Sequence, residues 1–319
     1  MKTRDGKILA TLIRVFQEIG DNMGKKALLG NILLTLVAMI WGIAFVFQRV
    51  GMDYIEPITF NASRMTLAAL ALGIVSAVQI RKNGFRNRDD IRYTVIGGIC
   101  CGCFLAFASI FQQMGIVYTT AGKAGFITAM YMLLVPVINA VLFRRHNPWP
   151  VWLAVLLGVI GMYFLCMRDS FRLTQGDTLV CICAFLFSGH ILCCDYFADK
   201  GNPICISAVQ FLTTAVISWV AAFLMESPGP EKILSATVPI LYCGLMSGGV
   251  GFTLQIVAQR YTDPTVASLL MSLESVFAVI AGTFILHEQM SARELLGCVI
   301  MFAAIIMVQL PQKEAKASK

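Results

Sequence analysis

The 319-residue chain is very apolar for its length, with 58% hydrophobic and only 13% charged residues. Soluble domains carry about 25% charged residues, so this composition excludes a soluble globular protein and indicates a chain embedded in a lipid bilayer. The formal net charge of +7 does not indicate a nucleic-acid partner, because the basic residues form short clusters between apolar runs.

The chain begins with a charged segment, residues 1–27, that we interpret as a cytoplasmic extension. Residues 8–19 have a rough apolar helical face and could lie on the membrane surface. The alternative is that translation starts at Met23, whose Gly-Lys-Lys sequence is an adequate inner flank. The sequence does not choose between the two.

Ten apolar runs follow, each of about the 20 residues that a helix needs to cross a bilayer. In chain order they are 28–49, 57–80, 91–114, 121–143, 151–168, 177–197, 204–225, 235–258, 264–286 and 291–310. Pro57, Pro203 and Pro264 are typical of first helical positions, where the missing N–H costs nothing. Asn202 and Asp263 are suitable N-caps before two of these prolines. A short cytoplasmic tail, residues 311–319, completes the chain.

The distribution of Lys and Arg predicts the orientation of these helices. With the N-terminus in the cytoplasm, 18 basic residues lie on the inner side and 5 on the outer side. Because positive residues accumulate in cytoplasmic loops, we expect a multi-pass plasma-membrane protein with both termini in the cytoplasm.

The two halves of the chain resemble each other. The motif Glu56-Pro57-Ile58 with Arg64 matches Asn202-Pro203-Ile204 with Gln210 at an offset of 146, and Gln112 matches Gln255 at an offset of 143. Residues 28–168 and 177–310 are therefore predicted repeats of five helices each. Since five is odd, the second repeat enters the membrane in the opposite orientation. The predicted fold class is an all-α integral membrane protein with ten transmembrane helices in two inverted repeats, an architecture typical of transporters.

Two motifs resemble a known family. The first is Trp41-Gly42, Phe45, Gln48-Arg49, Pro57 and Arg64, and the second is the run LESVFAVIAGTFILHEQMSARELLG at 273–297. Together they resemble the EamA-type family of the drug/metabolite transporter superfamily. The resemblance implies a ten-helix inverted-repeat fold and the export or exchange of small metabolites, often amino acids. The chain departs from the family at Arg145, where the repeat mate of Glu288 is expected to be acidic.

Charged residues inside apolar runs are candidate functional groups, because their burial in a bilayer is costly. Glu274 lies about 15 Å into its helix, given a rise of 1.5 Å per residue. It could carry a proton, attract a substrate ammonium group, or form a helix–helix hydrogen bond as a protonated carboxyl. Arg64 lies about 10 Å into its helix and could capture a substrate carboxylate or anchor neighbouring helices.

Other polar residues at membrane depth complete the predicted site. His190 could relay protons or serve as a packing residue, and Lys123 could line the site or extend to the outer interface. The remaining candidates for the cavity lining are Trp41, Gln48, Asn61, Gln112, Tyr131 and Gln255. Pro136 is expected to kink the fourth helix.

These features favour a secondary transporter of small polar metabolites, working by alternating access around a midplane cavity. The expected partners are a small-molecule substrate, the bilayer and possible coupling protons. The chain contains no phosphate-binding loop for ATP, and its eleven cysteines, all in apolar runs, are expected to pack as small hydrophobic residues. We expect no cofactor, no metal and no enzymatic activity. The alternatives are a structural or sensory membrane protein and an intramembrane enzyme.

Overall fold

The computed structural model describes residues 24–118, 121–144, 147–166, 174–285 and 291–309. Within these ranges the chain consists of helices joined by short connections. The predicted N-terminal extension up to residue 23, the tail, and both Arg145 and Glu288 lie outside the described residues.

The described residues of the first half form six helices. They are α1 (Lys25–Gly51), α2 (Pro57–Asn83), α3 (Arg88–Tyr118), α4 (Ala121–Thr128), α5 (Tyr131–Leu142) and α6 (Trp149–Cys166). The helices α4 and α5 follow each other along one apolar segment, Ala124–Leu142.

In the second half, the part of the chain that the structure describes forms eight α-helices and one π-helical stretch. They are α7 (Gln175–Ala198), α8 (Pro203–Met225), α9 (Pro230–Ser235), α10 (Thr237–Leu241), the π-helix Tyr242–Phe252, α11 (Thr253–Ala258), α12 (Pro264–Met271), α13 (Glu274–Ile285) and α14 (Ala292–Gln309). The segment from α10 to α11 forms one apolar unit, Thr237–Ala258, and α12 with α13 forms another, Pro264–Ile285.

Eight segments in the described ranges are long and apolar enough to cross a membrane. Two shorter apolar helices, Trp149–Phe164 and Leu295–Met307, occupy the places of the predicted fifth and tenth spans. The expectation of a helical, multi-pass membrane protein is thus confirmed. The count of ten crossings remains a prediction, because it depends on these two shorter helices.

The predicted helix starts are confirmed at three prolines. Pro57, Pro203 and Pro264 each occupy the first turn of a helix. The Asn202 side chain accepts from the backbone N–H groups of the first turn of α8 at 3.1 and 3.2 Å. The Asp263 side chain accepts a hydrogen bond from Thr265 N in the first turn of α12 at 2.8 Å. These side chains satisfy backbone donors that have no partner inside a helix.

The fourth and ninth apolar segments are both broken near their middle. The first break precedes Tyr131 and the second precedes Glu274. At both breaks, backbone N–H groups donate to the carbonyl oxygen three residues earlier in the chain. These hydrogen bonds are Met130 N to Ile127 O, Met132 N to Ala129 O, Leu273 N to Leu270 O and Ser275 N to Ser272 O. The kink expected at Pro136 stays a prediction: Pro136 lies inside α5, and the helix is interrupted before Tyr131.

Helices of the two halves pack against each other, and two of these pairs are antiparallel. At one end of the α2–α8 pair, Glu226 accepts hydrogen bonds from the start of α2. At the other end, Ser76 donates to Ile204 O near the start of α8. In the α6–α14 pair, the Arg293 guanidinium at the start of α14 lies 5.3 Å from the ring centre of Tyr163 near the end of α6. These contacts hold the two halves of the chain together.

The largest apolar core joins both halves around the broken segments. It includes Leu34 of α1, Met132 and Val135 of α5, Leu269 and Leu270 of α12, and Met301 of α14. Large apolar side chains also cover the outer surface, for example Leu70, Phe223 and Phe284, which are 63%, 69% and 77% exposed. An apolar outer face is what a bilayer requires.

Candidate functional site

A small cavity lies in the centre of the helix bundle, between the two halves. The space open to the centres of water molecules is about 40 Å³, and one water needs about 10–15 Å³ of such space. The cavity is lined by Trp41, Ala44, Phe45, Gln48, Arg64, Met65, Leu105, Ser109, Gln112, Thr128, Tyr131, Phe187, Ser247, Phe252 and Glu274. The cavity therefore has room for at least one water molecule.

Arg64 brings a fixed positive charge to the cavity wall. Its side chain belongs to α2 and is 4% exposed. The Nε and Nη2 groups donate to Asn61 Oδ1 at 3.1 and 2.9 Å, and the guanidinium lies 5.7 Å from the ring centre of Phe60. Because a guanidinium has five N–H donors and cannot be neutralised in proteins, this arrangement keeps donors available to an anionic group in the cavity.

Asn61 orients Arg64 from outside the cavity. Its Nδ2 donates to Ser109 Oγ of α3 and to Ser218 Oγ of α8, both at 3.0 Å. These two bonds fix the rotation of the amide, so that Oδ1 faces the guanidinium. Asn61 is therefore a positioning residue in this geometry and does not line the cavity.

Glu274 and Tyr131 meet on the opposite wall. Tyr131 Oη donates to Glu274 Oε1 at 3.0 Å, and both residues are almost fully buried. Each is the first residue of the helix that follows a break. A helix N-terminus favours negative charge, so the start of α13 is a suitable place for a carboxyl group.

The backbone of α1 comes very close to the break before Glu274. A Cβ atom on Gly42 would lie 2.7 Å from Glu274 O and 2.5 Å from Phe277 Cβ. Only glycine allows this approach without displacing α13. The glycine thereby brings α1, which carries Trp41 and Gln48, against the glutamate.

Aromatic side chains close the cavity on one side. The rings of Trp41 and Phe252 lie 4.5 Å apart, and Trp41 Nε1 donates to Ser247 O at 3.3 Å. Ser247 and Phe252 belong to the π-helix, whose extra residue per turn is a feature often found at functional sites. A Cβ at Gly251 would lie 2.6 Å from Trp41 Nε1, so the tryptophan packs directly on this backbone.

Two glutamine side chains add neutral polar groups to the wall. Gln112 Nε2 donates to Thr128 Oγ1 at 3.3 Å. Gln48 Oε1 is buried and has no hydrogen-bond partner among the described groups. A buried acceptor without a partner costs about 1–3 kcal/mol, so Gln48 is suited to accept a hydrogen bond from a ligand or from water.

Six of the ten predicted site residues line this cavity: Trp41, Gln48, Arg64, Gln112, Tyr131 and Glu274. Arg64 and Glu274 share the cavity without forming an ion pair with each other. His190 and Gln255 do not line the cavity but lie fully buried beyond its aromatic side. Lys123 is in α4, and its side chain lies outside the described residues.

Several lining residues were missed from the sequence. Phe187 lies at an offset of 146 from Trp41, so the repeat spacing could have identified it. Ser109, Thr128 and Phe252 carried no comparable signal, because small hydroxyl and aromatic side chains are common throughout apolar helices.

Polar contacts close the bundle at its two ends. At one end, the Glu226 carboxylate accepts from Ile58 N, Thr59 N and Thr59 Oγ1 at 2.6–2.8 Å. Beside it, Lys232 forms a salt bridge with Glu56, and this hydrogen bond lowers the pKa of Glu56 below its usual range. At the other end, Arg260 Nη2 donates to Gly201 O at 2.8 Å.

Comparison with known proteins identifies the family. The profile of the EamA-like transporter family matches residues 28–167 and 174–310, one match in each half. The chain belongs to the EamA-like transporter family. It is thus a member of the drug/metabolite transporter superfamily, as the two sequence motifs predicted.

Relatives agree with this assignment, and a solved structure shares the fold. An "Uncharacterized transporter" of Archaeoglobus fulgidus is 28% identical over 304 residues, covering 95% of this chain and 93% of the relative. The "Uncharacterized transporter YoaV" of Bacillus subtilis is 24% identical, covering 88% and 96%. A crystal structure with 17% identity has a TM-score of 0.72 and covers 88% of this chain and 96% of its own. The family and its relatives indicate a membrane transporter that binds a small molecule.

Proposed function

We propose that this protein is a secondary transporter that exports or exchanges small polar metabolites, with amino acids as the leading substrate class. The observation that carries the proposal is Arg64, a buried cation that lines the central cavity and hydrogen-bonds to the neutral Asn61. A cargo carboxylate would complete its coordination by charge-assisted hydrogen bonds, which are about twice as strong as neutral ones.

The opposite wall supports a zwitterionic cargo. Glu274 would accept hydrogen bonds from a cargo ammonium group, and Tyr131 holds the carboxyl in place through its 3.0 Å hydrogen bond. Gln48 Oε1, which has no partner in the described structure, would accept a further hydrogen bond. Trp41 and Phe252 would contact the apolar part of the cargo.

Transport requires the cavity to enlarge, since its space of about 40 Å³ is that of a few waters at most. The breaks before Tyr131 and Glu274 and the π-helix are suitable hinges, because each already departs from regular α-helical bonding. Discontinuous helices at a midplane site are common in secondary transporters. We propose that the cavity opens alternately to the two sides of the membrane.

The proposal includes ten spans in two inverted repeats, with both termini in the cytoplasm of a plasma-membrane protein. The antiparallel packing of α2 with α8 and of α6 with α14 supports inversion, since the members of each pair correspond between the halves. The excess of basic residues, 18 against 5, supports the orientation. Reporter fusions after residues 84 and 319 should be cytoplasmic and one after residue 229 external. An external signal at residue 319 would contradict this topology.

Counterflow in proteoliposomes tests the transport function. Vesicles loaded with each proteinogenic amino acid in turn should accumulate the same labelled amino acid for at least one member of the panel. Empty vesicles and vesicles with Arg64→Ala serve as controls. If folded wild-type protein exchanges no member of the panel or of a wider set of small carboxylates, the proposed substrate class is wrong. A structural or sensory role would then be favoured.

A further inference from the structure

The charged groups of the central cavity are few. Among its described lining residues, Arg64 is the one cation and Glu274 is the one carboxyl. In the proposed function these two groups bind the carboxylate and the ammonium group of the cargo. A charged cargo side chain would then find no partner of opposite charge among these residues. Because burying a charge without a partner is strongly unfavourable, the cavity favours a cargo whose side chain is uncharged.

Most of the remaining wall is made of large apolar side chains. These are Trp41, Phe45, Met65, Leu105, Phe187 and Phe252. Trp41 of α1 and Phe187 of α7 occupy equivalent positions of the two halves, at an offset of 146. Each half therefore contributes one aromatic ring to the wall from the same place on its first long helix.

The indole of Trp41 is fixed against the π-helix. Its Nε1 donates to Ser247 O at 3.3 Å, and a Cβ atom added at Gly251 would lie 2.6 Å from the same nitrogen. The indole thus lies between the backbone of the π-helix and the cavity. It has no space on the backbone side into which it could move for a larger cargo.

Phe252, which packs against Trp41, is supported by two further rings. Its ring centre lies 5.6 Å from that of Phe211 and 5.7 Å from that of His190, and both contacts are nearly perpendicular. Both supporting side chains are fully buried. Since packed interiors contain few voids, this aromatic wall does not yield by side-chain rotation. The proposed helix movements would carry the wall as one unit.

We propose that the site selects amino acids with a small uncharged side chain, and that Trp41 is the specificity-determining residue that excludes larger ones. This inference rests on the proposed function and narrows its substrate class. Arg64 and Glu274 would hold the two charged groups on the cargo's α-carbon. With both groups held, the cargo side chain has only the space that the aromatic wall leaves.

Counterflow with a graded panel of cargoes tests the selectivity of the wild type. The small uncharged cargoes are L-alanine, L-serine and L-valine, the large ones are L-phenylalanine and L-tryptophan, and the charged ones are L-lysine and L-glutamate. One surplus methylene group in a pocket changes specificity about 10- to 200-fold. At low cargo concentration, the small cargoes should therefore exchange at least about tenfold faster than the large or charged ones.

Each part of the inference has its own contrary result in this panel. If L-phenylalanine exchanged as fast as L-alanine, the size limit would be wrong. If L-lysine or L-glutamate exchanged as fast as L-alanine, the requirement for an uncharged side chain would be wrong. In both cases the proposed transport of amino acids would still stand. If folded wild-type protein exchanged no cargo of any kind, the proposed function itself would fail.

Two substitutions should shift the size limit in opposite directions. Trp41→Ala removes the indole, so the rate for L-phenylalanine relative to L-alanine should rise at least about tenfold. Gly251→Ala places a methyl group against Trp41 Nε1 and pushes the indole toward the cavity. The rate for L-valine relative to L-alanine should therefore fall. Trp41→Phe keeps a ring against Phe252 and replaces Trp41→Ala if the latter does not fold. It should shift the ratio in the same direction by a smaller factor.

The ratio between two cargoes separates selectivity from a structural role. If Trp41 were purely structural, each substitution would slow all cargoes by the same factor. The matched control is Trp149→Ala, since this tryptophan is 71% exposed at the start of α6 and does not line the cavity. The control should leave every ratio unchanged. Unchanged ratios in folded Trp41 and Gly251 variants would overturn the inference.

Discussion

The two broken segments have nearly the same backbone but different chemistry. The first break ends at Tyr131 and the second at Glu274, 143 positions later, and matching i to i−3 hydrogen bonds hold both turns. One copy supplies a phenol and the other a carboxyl, and the two side chains bond to each other. The comparison teaches that the position in the fold determines the break, while the reactive side chain is specific to one copy.

The largest effect on transport is expected from replacing Glu274, the titratable residue at the second break. Among the described lining residues Glu274 is the one carboxyl. Glu274→Gln keeps the shape and an acceptor oxygen for the cargo ammonium group but cannot exchange a proton, so it should fold and exchange cargo with a lower apparent affinity while losing all stimulation by an imposed proton gradient. Counterflow and gradient-driven uptake measure the two activities. Tyr131→Phe is the control and should keep the stimulation. A normal gradient response in Glu274→Gln would exclude it as the coupling group.

Arg64→Lys tests the guanidinium group that only the first half carries at this position. Lysine keeps the charge but lacks the planar fork that binds a carboxylate in two places. Losing one charge-assisted hydrogen bond costs about 1.5–3 kcal/mol, or about 10- to 150-fold in apparent affinity. The control is Arg49→Lys, an exposed residue paired with Asp53 at 3.9 Å. Equal apparent affinity in both variants would assign Arg64 a structural role.

Tyr131→Phe tests the hydroxyl group that the first break contributes to the cavity. It removes the hydrogen bond to Glu274, which contributes about 0.5–1.5 kcal/mol, so apparent cargo affinity should fall about twofold to tenfold. Tyr163→Phe is the matched control, since this tyrosine is 44% exposed on α6 and does not line the cavity. If the two variants had the same apparent cargo affinity, the hydrogen bond between Tyr131 and Glu274 would be irrelevant to binding.

The smallest effect concerns the helix starts of the two halves. Asn202 caps α8 directly, whereas Glu56, at the matching position, pairs with Lys232 and leaves the capping of α2 to Glu226. Glu56→Gln should therefore lower stability by at most about 1 kcal/mol, because the pair is partly exposed.

The pH dependence of this effect has a defined sign. The pKa of Glu56 is lowered in the folded protein by its hydrogen bond to Lys232. The stabilisation is therefore present above the unfolded pKa of about 4.3 and disappears as the pH falls through the folded value. The Tm difference between wild type and Glu56→Gln should accordingly be larger at pH 7 than at pH 3.5. A difference that grew toward acidic pH would contradict the pairing.

Much of the fold could be predicted because its signals are local. Apolar runs gave the helices, and prolines preceded by Asn202 or Asp263 gave two helix starts to the residue. The breaks could not be predicted, since they occur within apolar sequence that contains neither proline nor glycine at the turn. Pro136 carried the strongest local signal for a kink, but the helix is interrupted before Tyr131, where the sequence carries no such signal.

The candidate site was predicted in part for a similar reason. Arg64 and Glu274 were identified because charge at membrane depth is rare, and the cavity contains both. His190 carried the same signal but lies behind Phe252, since its side chain faces α8 rather than α1. Which face of a helix meets which neighbour is a long-range property that one sequence does not show.

The cap that Glu226 places on the start of α2 has a consequence for how such a chain could have arisen. The C-terminal copy satisfies the exposed backbone donors of the N-terminal copy, and the main helix pairs likewise join one copy to the other. A single copy expressed alone would leave the partner faces of α2 and α6 uncovered. A half-length ancestor would therefore be expected to need a second copy of itself to cover these faces.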